Sequence, residues 1–422
     1  MRPPPLALVD LGSASFALVA SLAVMGCGGL LADDGASMAV DVPMSLGPSL
    51  AIADDRTCFV SGEGRVACWG RNDRRKLAVD CSDRCEGRFD GDPGASCCLS
   101  PTEVPGLIDV RQVALGESHG CALHADGSVS CWYGDGFSPT RTSTPSRVPG
   151  LTNVRQIVAG HSHTCARLAD STVKCWGGNL YGQLGDGTTV HRSSPTSIPS
   201  LTGVTQIAAK WNVSCARLAD GRAQCWGSNE FDDIGPWWRC TGRSADGKSI
   251  CVSPKDVPGV TGVTRISATG CALTEVDGLV CWSAGLGVPN LSRDDSLTEL
   301  ALLTPGDSSD PFAPRHRAHP IADFGSVVRF EKAWDNHCAV DTAGVVRCIR
   351  LHPRLSPYDM KEPPATRAAI DAPITTTDLA VARNHACALA ADQTVRCWGA
   401  NESGQLGDGT TTARANSALT GR

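Results

Sequence analysis

The sequence lacks the marks of most enzyme and nucleic-acid-binding classes. It has no surplus of positive charge: 38 Lys and Arg stand against 44 Asp and Glu, a net charge of −6. The clustered cations that a phosphate backbone requires are therefore not expected, and no nucleic-acid partner is implied. No convincing amphipathic helix appears. No nucleophile elbow, phosphate-cradling glycine loop, zinc-protease motif or paired-carboxylate frame occurs, so no catalytic residues and no cofactor are expected. The apolar run near the N-terminus, residues 14–25, is short for a membrane-spanning helix.

Turn formers and cysteine are what the chain has in abundance. The 45 Gly and 26 Pro demand many turns, while a hydrophobic fraction of 41% suits a folded chain and not a disordered one. At 422 residues the chain exceeds one ordinary compact core, so several domains or a repeat architecture are expected. Twenty-one cysteines do not suit a reducing compartment unless they bind metal.

The N-terminus bears on the compartment. After Arg2, the apolar run ends in Val24-Met25-Gly26-Cys27. This resembles the lipobox of bacterial lipoprotein signal peptides, in which the cysteine is lipidated and becomes the mature N-terminus. The resemblance implies a signal peptide over residues 1–26, lipidation at Cys27, a flexible linker over residues 27–48, and contact with the membrane through the lipid anchor alone. The bacterial cell envelope, at the outer membrane or cell surface, is then the expected location. An ordinary secretory signal is the plainer alternative, and it too exports the chain.

Seven cysteine pairs share a spacing of ten: Cys58 with Cys68, Cys121 with Cys131, Cys165 with Cys175, Cys215 with Cys225, Cys271 with Cys281, Cys338 with Cys348, and Cys387 with Cys397. Trp follows six of the second cysteines, and the first cysteines recur every 44 to 67 residues. A period of this size means stacked supersecondary units. Between the two cysteines stands a turn signal such as Ala125-Asp126-Gly127, which marks a hairpin. If that turn is a three-residue loop, Leu123 faces Val129 and Cys121 faces Cys131. Opposed residues of this kind lie within reach of a disulfide. Strand alternation then puts Cys121, Leu123, Val129 and Cys131 on one buried face and Trp132 on the other. About four short strands per repeat follow, over residues 49–422.

Six cysteines lie in insertions. Cys240 and Cys251 read as a loop disulfide, whereas Cys81, Cys85, Cys97 and Cys98 admit three pairings, of which Cys97 with Cys98 is the most strained. Zinc is the sharper alternative for the four, although their spacing is not a pair of Cys-x2-Cys knuckles. The insertions span about residues 80–98, 235–251 and 284–320.

The segments Trp176-Gly-Gly-Asn179-Leu-Tyr-Gly-Gln-Leu-Gly-Asp-Gly-Thr188 and Trp398-Gly-Ala-Asn401-Glu-Ser-Gly-Gln-Leu-Gly-Asp-Gly-Thr410, with the Val-x-Gln-Ile-x-x-Gly-x-x-His-x-Cys run over residues 154–165, resemble the regulator of chromosome condensation repeat family. The resemblance implies an all-β, seven-bladed propeller, in agreement with the count of seven cysteine pairs, each of which would staple one blade hairpin. Members include a nuclear nucleotide-exchange factor, a plant photoreceptor and a secreted inhibitor of β-lactamases, so the fold alone does not name an activity. The exported setting is similar to that of the secreted inhibitor. Binding of a protein partner is the implied function, with carbohydrate binding or glycan processing as the alternative.

Individual residues take their readings from that frame. His119, His163, His337 and His385 precede the first cysteine of their hairpins, and equivalent positions of a propeller converge. A metal or catalytic ring is the sharp reading. A repeat residue bonding backbone within its own blade is the plainer and preferred one, since blades four and five lack it. Asp186 and Asp408, in Gly-Asp-Gly-Thr, suit tight-turn chemistry better than calcium. Arg315-His316-Arg317 suits a solvated loop. Trp237 and Trp238 are the candidate binding residues, an interface anchor or a sugar-stacking platform, unless they merely cap the propeller edge. For ring closure the expectation is that residues 415–419 pair into the sheet of Cys58 and Cys68, with residues 40–42 as the competing strand.

Overall fold

The computed structural model describes residues 49–81, 83–85, 96–133, 142–230, 234, 240–276, 278–282, 319–320, 327–333, 336–350, 368–369 and 375–420. The chain folds as a seven-bladed propeller of antiparallel sheets. Each blade runs from an inner strand at the central channel to an outer strand at the rim. Blade 3 is representative: Val154–Ala159, His163–Leu168, Val173–Gly177 and Arg192–Ser197 pair in that order. Blades 1 and 4 gain a fifth, two-residue strand, Asp83–Arg84 and Gly242–Arg243.

The central hairpin follows from its residues. In blade 2, Leu123 pairs with Val129 and Cys121 with Cys131, and His124 N–H donates to the Ser128 carbonyl. The same opposition recurs in every blade. Cys58 bonds Cys68, Cys121 bonds Cys131, Cys165 bonds Cys175, Cys215 bonds Cys225, Cys271 bonds Cys281, Cys338 bonds Cys348 and Cys387 bonds Cys397, all at Cα separations of 4.0 or 4.1 Å. Six of these disulfides are buried between blades as expected, Cys225 and Cys281 included. Cys348 departs from the expected burial and is only half-buried. Its strand is followed by the two-residue outer strand Ala368–Ala369, with Ala368 opposite Cys348.

Trp69, Trp132, Trp176 and Trp226 are buried on the other face of the hairpin. Trp69, Trp132 and Trp226 each donate an indole N–H to a carbonyl of the preceding blade: Gln405, Lys76 and Gln183. The repeated tryptophan is therefore a blade-to-blade bolt. Blade 6 has Ile349 in its place.

Neighbouring blades are also clasped near the channel. Gln156 accepts the Ile207 N–H (2.9 Å) and donates to the Ile207 carbonyl (2.7 Å). Gln112 accepts Ile157 N–H and Gln206 accepts Ile266 N–H in the same way.

Ring closure differs from the preferred expectation. Arg414–Leu419 is the outer strand of blade 7, paired with Val395–Gly399, and does not enter the sheet of Cys58 and Cys68. The competing segment, residues 40–42, lies outside the described residues, and blade 1 has its four main strands without it: Ser49–Ala53, Arg56–Val60, Val66–Arg71 and Ser96–Glu103. The reason is local. After each Gly-Asp-Gly-Thr loop the chain turns back along the third strand it has just left, so Cys175 pairs with Thr196 and Cys397 with Ala418. Every blade is thus one continuous stretch. Closure falls to bonds between blades 7 and 1: Asp378 accepts the Leu50 N–H at 3.0 Å, Trp69 donates to the Gln405 carbonyl, and Thr57 bonds His385.

The insertion boundaries also move. Ser96–Glu103 and Ser249–Asp256 are outer strands, so Cys97, Cys98 and Cys251 lie in strands and not in loops. Cys81 pairs with Cys98, Cys85 with Cys97 and Cys240 with Cys251. His319–Pro320 closes the third insertion as the outer strand of blade 5, with His319 opposite Cys281.

Candidate functional site: the channel mouth and the insertion face

The third strand of each blade ends beside the turn that joins the inner and second strands. Gly177 pairs with His163, and Gly178 N–H donates to the Ser162 carbonyl. All connections from third to outer strand, the three long insertions included, therefore leave from the face that carries these inner turns. The opposite face carries the turns between the second and third strands, whose Asp126, Asp170 and Asp392 accept hydrogen bonds from the backbone N–H groups of Ser128, Thr172 and Thr394.

On the insertion face the inner turns build a staircase around the channel mouth. Glu117 N–H of blade 2 donates to the His161 carbonyl of blade 3 (3.0 Å), and His161 N–H donates to the Trp211 carbonyl of blade 4 (2.8 Å). Side chains follow the same path. His161 pairs with Glu117, and its ring lies 5.9 Å from the Trp211 ring. About 40% of each of Glu117 and His161 remains exposed. Beneath them Arg56 is buried, donating to the carbonyls of Gly116 (3.0 Å) and Glu117. Burial lowers the Arg56 pKa, and Asp54, Asp73, Asp55 and Glu117 oppose that.

Sequence reasoning does not single out Glu117, His161 and Trp211. They occupy one position, directly after Gly116, Gly160 and Lys210, and comparing the repeats at that column would have shown three unlike functional side chains in a constant frame. Gly160 is required there, since a Cβ would lie 2.2 Å from His163 Cε1 and 2.5 Å from the Trp211 carbonyl.

The histidines serve a different purpose from the expected one. His119 Nε2 bonds Thr164 Oγ1 (2.7 Å), His163 Nε2 bonds Ser214 Oγ (2.7 Å) and His385 Nε2 bonds Thr57 Oγ1 (3.0 Å). Each bond crosses to a hydroxyl of the next blade and not to backbone within its own. Ser214 and Thr57 in turn donate to the Gln183 and Gln405 carbonyls. A histidine stands wherever the next blade offers that hydroxyl. Where the next blade has Gly120, Gly270 or Ala386, the position holds Arg56, Val213 or Asn336. His337 is one residue out of register, pairing with Ile349, and its side chain lies outside the described residues. Among the described residues no group of three or more His, Cys, Asp or Glu is placed to hold a metal ion.

The Asn-to-Thr loops form the rest of this face. Asn179 accepts Leu184 N–H and donates to Asp186 and to the Thr188 and Val190 carbonyls, and Asn401 repeats the pattern. Asp186 and Asp408 are saturated by Thr188 and Arg192, and by Thr410 and Arg414, which is turn chemistry. In the blade 4 insertion, Lys248 pairs with Glu230 at 2.7 Å and lies 5.7 Å over the Tyr181 ring of blade 3. Trp237, Trp238, Cys27 and Arg315-His316-Arg317 lie outside the described residues.

Two models of the regulator of chromosome condensation (RCC1) repeat match the chain, one at residues 110–132, 154–183, 204–232 and 377–405 and the other at residues 171–217. The chain is 35% identical over 85 residues to Protein pim1 of Schizosaccharomyces pombe, and the match spans 20% of this chain and 16% of that protein's length. Among solved structures, yeast RCC1 (Prp20), determined bound to Kap60, superposes with a TM-score of 0.62 at 16% identity, covering 84% of this chain and 83% of that one. Human WBSCR16 aligns with a TM-score of 0.47 at 16% identity, covering 89% and 82%. At 16% identity the likeness to yeast RCC1 is one of fold.

Proposed function

We propose that this chain, a seven-bladed propeller built from regulator of chromosome condensation repeats, is a non-catalytic binding module of the bacterial cell envelope that captures a protein partner on its insertion face. The observation that supports this most directly is that the third strands bearing the long insertions end on the same face as the Glu117–His161–Trp211 staircase. Loops on a rigid scaffold are where binding residues concentrate. A Trp beside a Glu–His pair with two-fifths exposure suits an interface anchor and its polar surround. The structural neighbour determined bound to Kap60 supports protein capture as a use of this fold.

Ten disulfides fit an oxidising, exported setting. The Val24-Met25-Gly26-Cys27 segment supports lipid anchoring. Crosslinking at the surface of the native host followed by affinity capture tests the reading. A specific protein should be recovered with the wild type and lost with His161→Ala combined with Trp211→Ala. A glycan array on the purified ectodomain tests the carbohydrate alternative, and a saturable glycan hit with no protein captured would overturn protein binding. Cys27→Ser should move the protein from the membrane fraction to the soluble one, because serine cannot carry the thioether lipid. A variant that still pellets with membranes in high salt would overturn the anchor.

A further inference from the structure

The seven blade staples close loops of one length, since each joins cysteines ten residues apart. In the chain-entropy model the constraint on the unfolded chain depends on loop length, so it is the same for all seven. How readily each is reduced is then set by the folded blade that holds it. Thirteen of the fourteen cysteines concerned are 5% exposed or less, and a thiol reaches them only if the blade opens. Cys348 alone is partly exposed, while its partner Cys338 is 2% exposed. Exposed disulfides are the labile ones, because an attacking thiolate needs access to a sulfur. Cys81 and Cys85 are partly exposed as well, but their bonds to Cys98 and Cys97 tie the blade 1 insertion to its outer strand and staple no hairpin.

Two fastenings found elsewhere in the ring are missing around Cys348. Ile349 follows it where tryptophan follows the second cysteine of the other six blades, so blade 6 has no indole N–H there to donate to blade 5. On the other side, blade 7 has Ala386 at the position of Thr57, Thr164 and Ser214, and Ala386 offers no hydroxyl to blade 6. Blade 6 combines both absences. Its inner half is nevertheless tied to its neighbours. Lys332 donates to the Thr269 carbonyl of blade 5 (3.0 Å), Arg329 pairs with Asp378 of blade 7, and Ala333, Cys338 and Val340 pack against Leu379, Val381 and Trp398. The ring can therefore hold while the staple itself is open.

We infer that Cys338–Cys348 is a thiol-exchange site, the one blade staple that a dithiol reductant opens while the ring stays folded. A thiolate of the dithiol attacks Cys348 Sγ, the bond to Cys338 breaks, and Cys338 leaves as a thiolate that takes up a proton. The second thiol then attacks the mixed disulfide and releases Cys348, which is protonated in turn. Two electrons and two protons pass to the cysteine pair, and the dithiol is oxidised to its own disulfide. Folded protein held at pH 7.5 in dithiothreitol buffers of rising reduced-to-oxidised ratio, quenched in acid, alkylated and mapped by peptide, tests the site. Cys338 and Cys348 should be half alkylated at a ratio about tenfold or more below that of the other six blade staples, with the circular dichroism of the folded ring retained. Cys338→Ala with Cys348→Ala should lower the melting temperature by less than Cys165→Ala with Cys175→Ala, because the loops are equal and only the folded-state packing differs. Reduction of Cys338–Cys348 no earlier than the other six, reduction of all seven together as the ring unfolds, or a larger melting loss in the blade 6 variant would overturn the inference.

Discussion

At the residue scale, the three buried histidines between blades make stability depend on pH. Burial lowers the pKa of His119 to about 4 and those of His163 and His385 to about 3. Each folded value lies below the unfolded one of about 6.5. As pH falls through 6.5 the unfolded chain takes up protons that the folded chain refuses, so stability present above pH 6.5 drains away toward pH 3 to 4. The slope is about 1.4 kcal/mol per pH unit for each histidine, or about 2 kcal/mol each at pH 5. Glu331, whose pKa burial raises, acts in the opposite sense. Urea unfolding at pH 7 and pH 5 should therefore show a clear loss, and His163→Gln should reduce that loss by about one histidine's share. Equal loss in the variant would show that this bond is not the titrating one. Gly160→Ala should cost about 1–3 kcal/mol by overpacking, because the added methyl meets the His163 ring and the Trp211 carbonyl. A melt unchanged from the wild type would mean that the turn relaxes freely.

Among the elements, the two chain ends carry different duties. The C-terminal strand Arg414–Leu419 covers the outer edge of blade 7, while the inner strand Ser49–Ala53 meets Thr376–Val381 across the closure. Removing residues 413–422 should uncover the Val395–Gly399 edge, promoting concentration-dependent oligomers with a modest drop in melting temperature. Asp378→Ala should do more to the monomer. It strips the Leu50 N–H of its acceptor and leaves Arg329 without its partner, a loss of about 1–3 kcal/mol for a half-buried pair broken on one side. Light scattering and melting of the two variants distinguish the roles. If the truncation unfolds the ring and Asp378→Ala melts like the wild type, closure belongs to the C-terminal strand.

For the whole molecule, stability is distributed around a ring of near-identical units, as in repeat proteins where each unit contacts its neighbours. Losing one staple should weaken the ring without dissolving it. Cys165→Ala with Cys175→Ala removes a disulfide that closes a short loop, at a cost of roughly 3 kcal/mol at most in the chain-entropy model. The circular dichroism of the folded protein should be unchanged while its melting temperature falls. Wholesale unfolding of the double variant at 25 °C would mean that blade 3 nucleates the ring.

The sequence by itself determined the unit and its number. Ten-residue cysteine spacing, a turn signal between, and alternation on either side place Cys121 opposite Cys131 and bury Trp132, because every contact in that hairpin lies within about a dozen residues and strand geometry admits one register. The same local rule sets Cys225 opposite Cys215, Cys281 opposite Cys271 and Cys348 opposite Cys338. How deeply each pair is buried is not local, and Cys348 stays half-covered for that reason. The anchor role of Asn179 and Asn401, and the saturation of Asp186 and Asp408, again follow from neighbouring residues. The tertiary structure alone decided what happens between units. His385 finds Thr57 at a sequence separation of 328. Asp378 closes on Leu50 across the same distance, and Lys210 reaches Val381 from 171 residues away. None of these partners is marked by spacing, because ring curvature brings them together and not the local path of the chain. The four insertion cysteines were open for the same reason. Cys81 and Cys85 are sorted to Cys98 and Cys97 only once the returning strand Ser96–Glu103 is docked on Val66–Arg71, which points adjacent cysteines to opposite faces and so forbids them to share a partner.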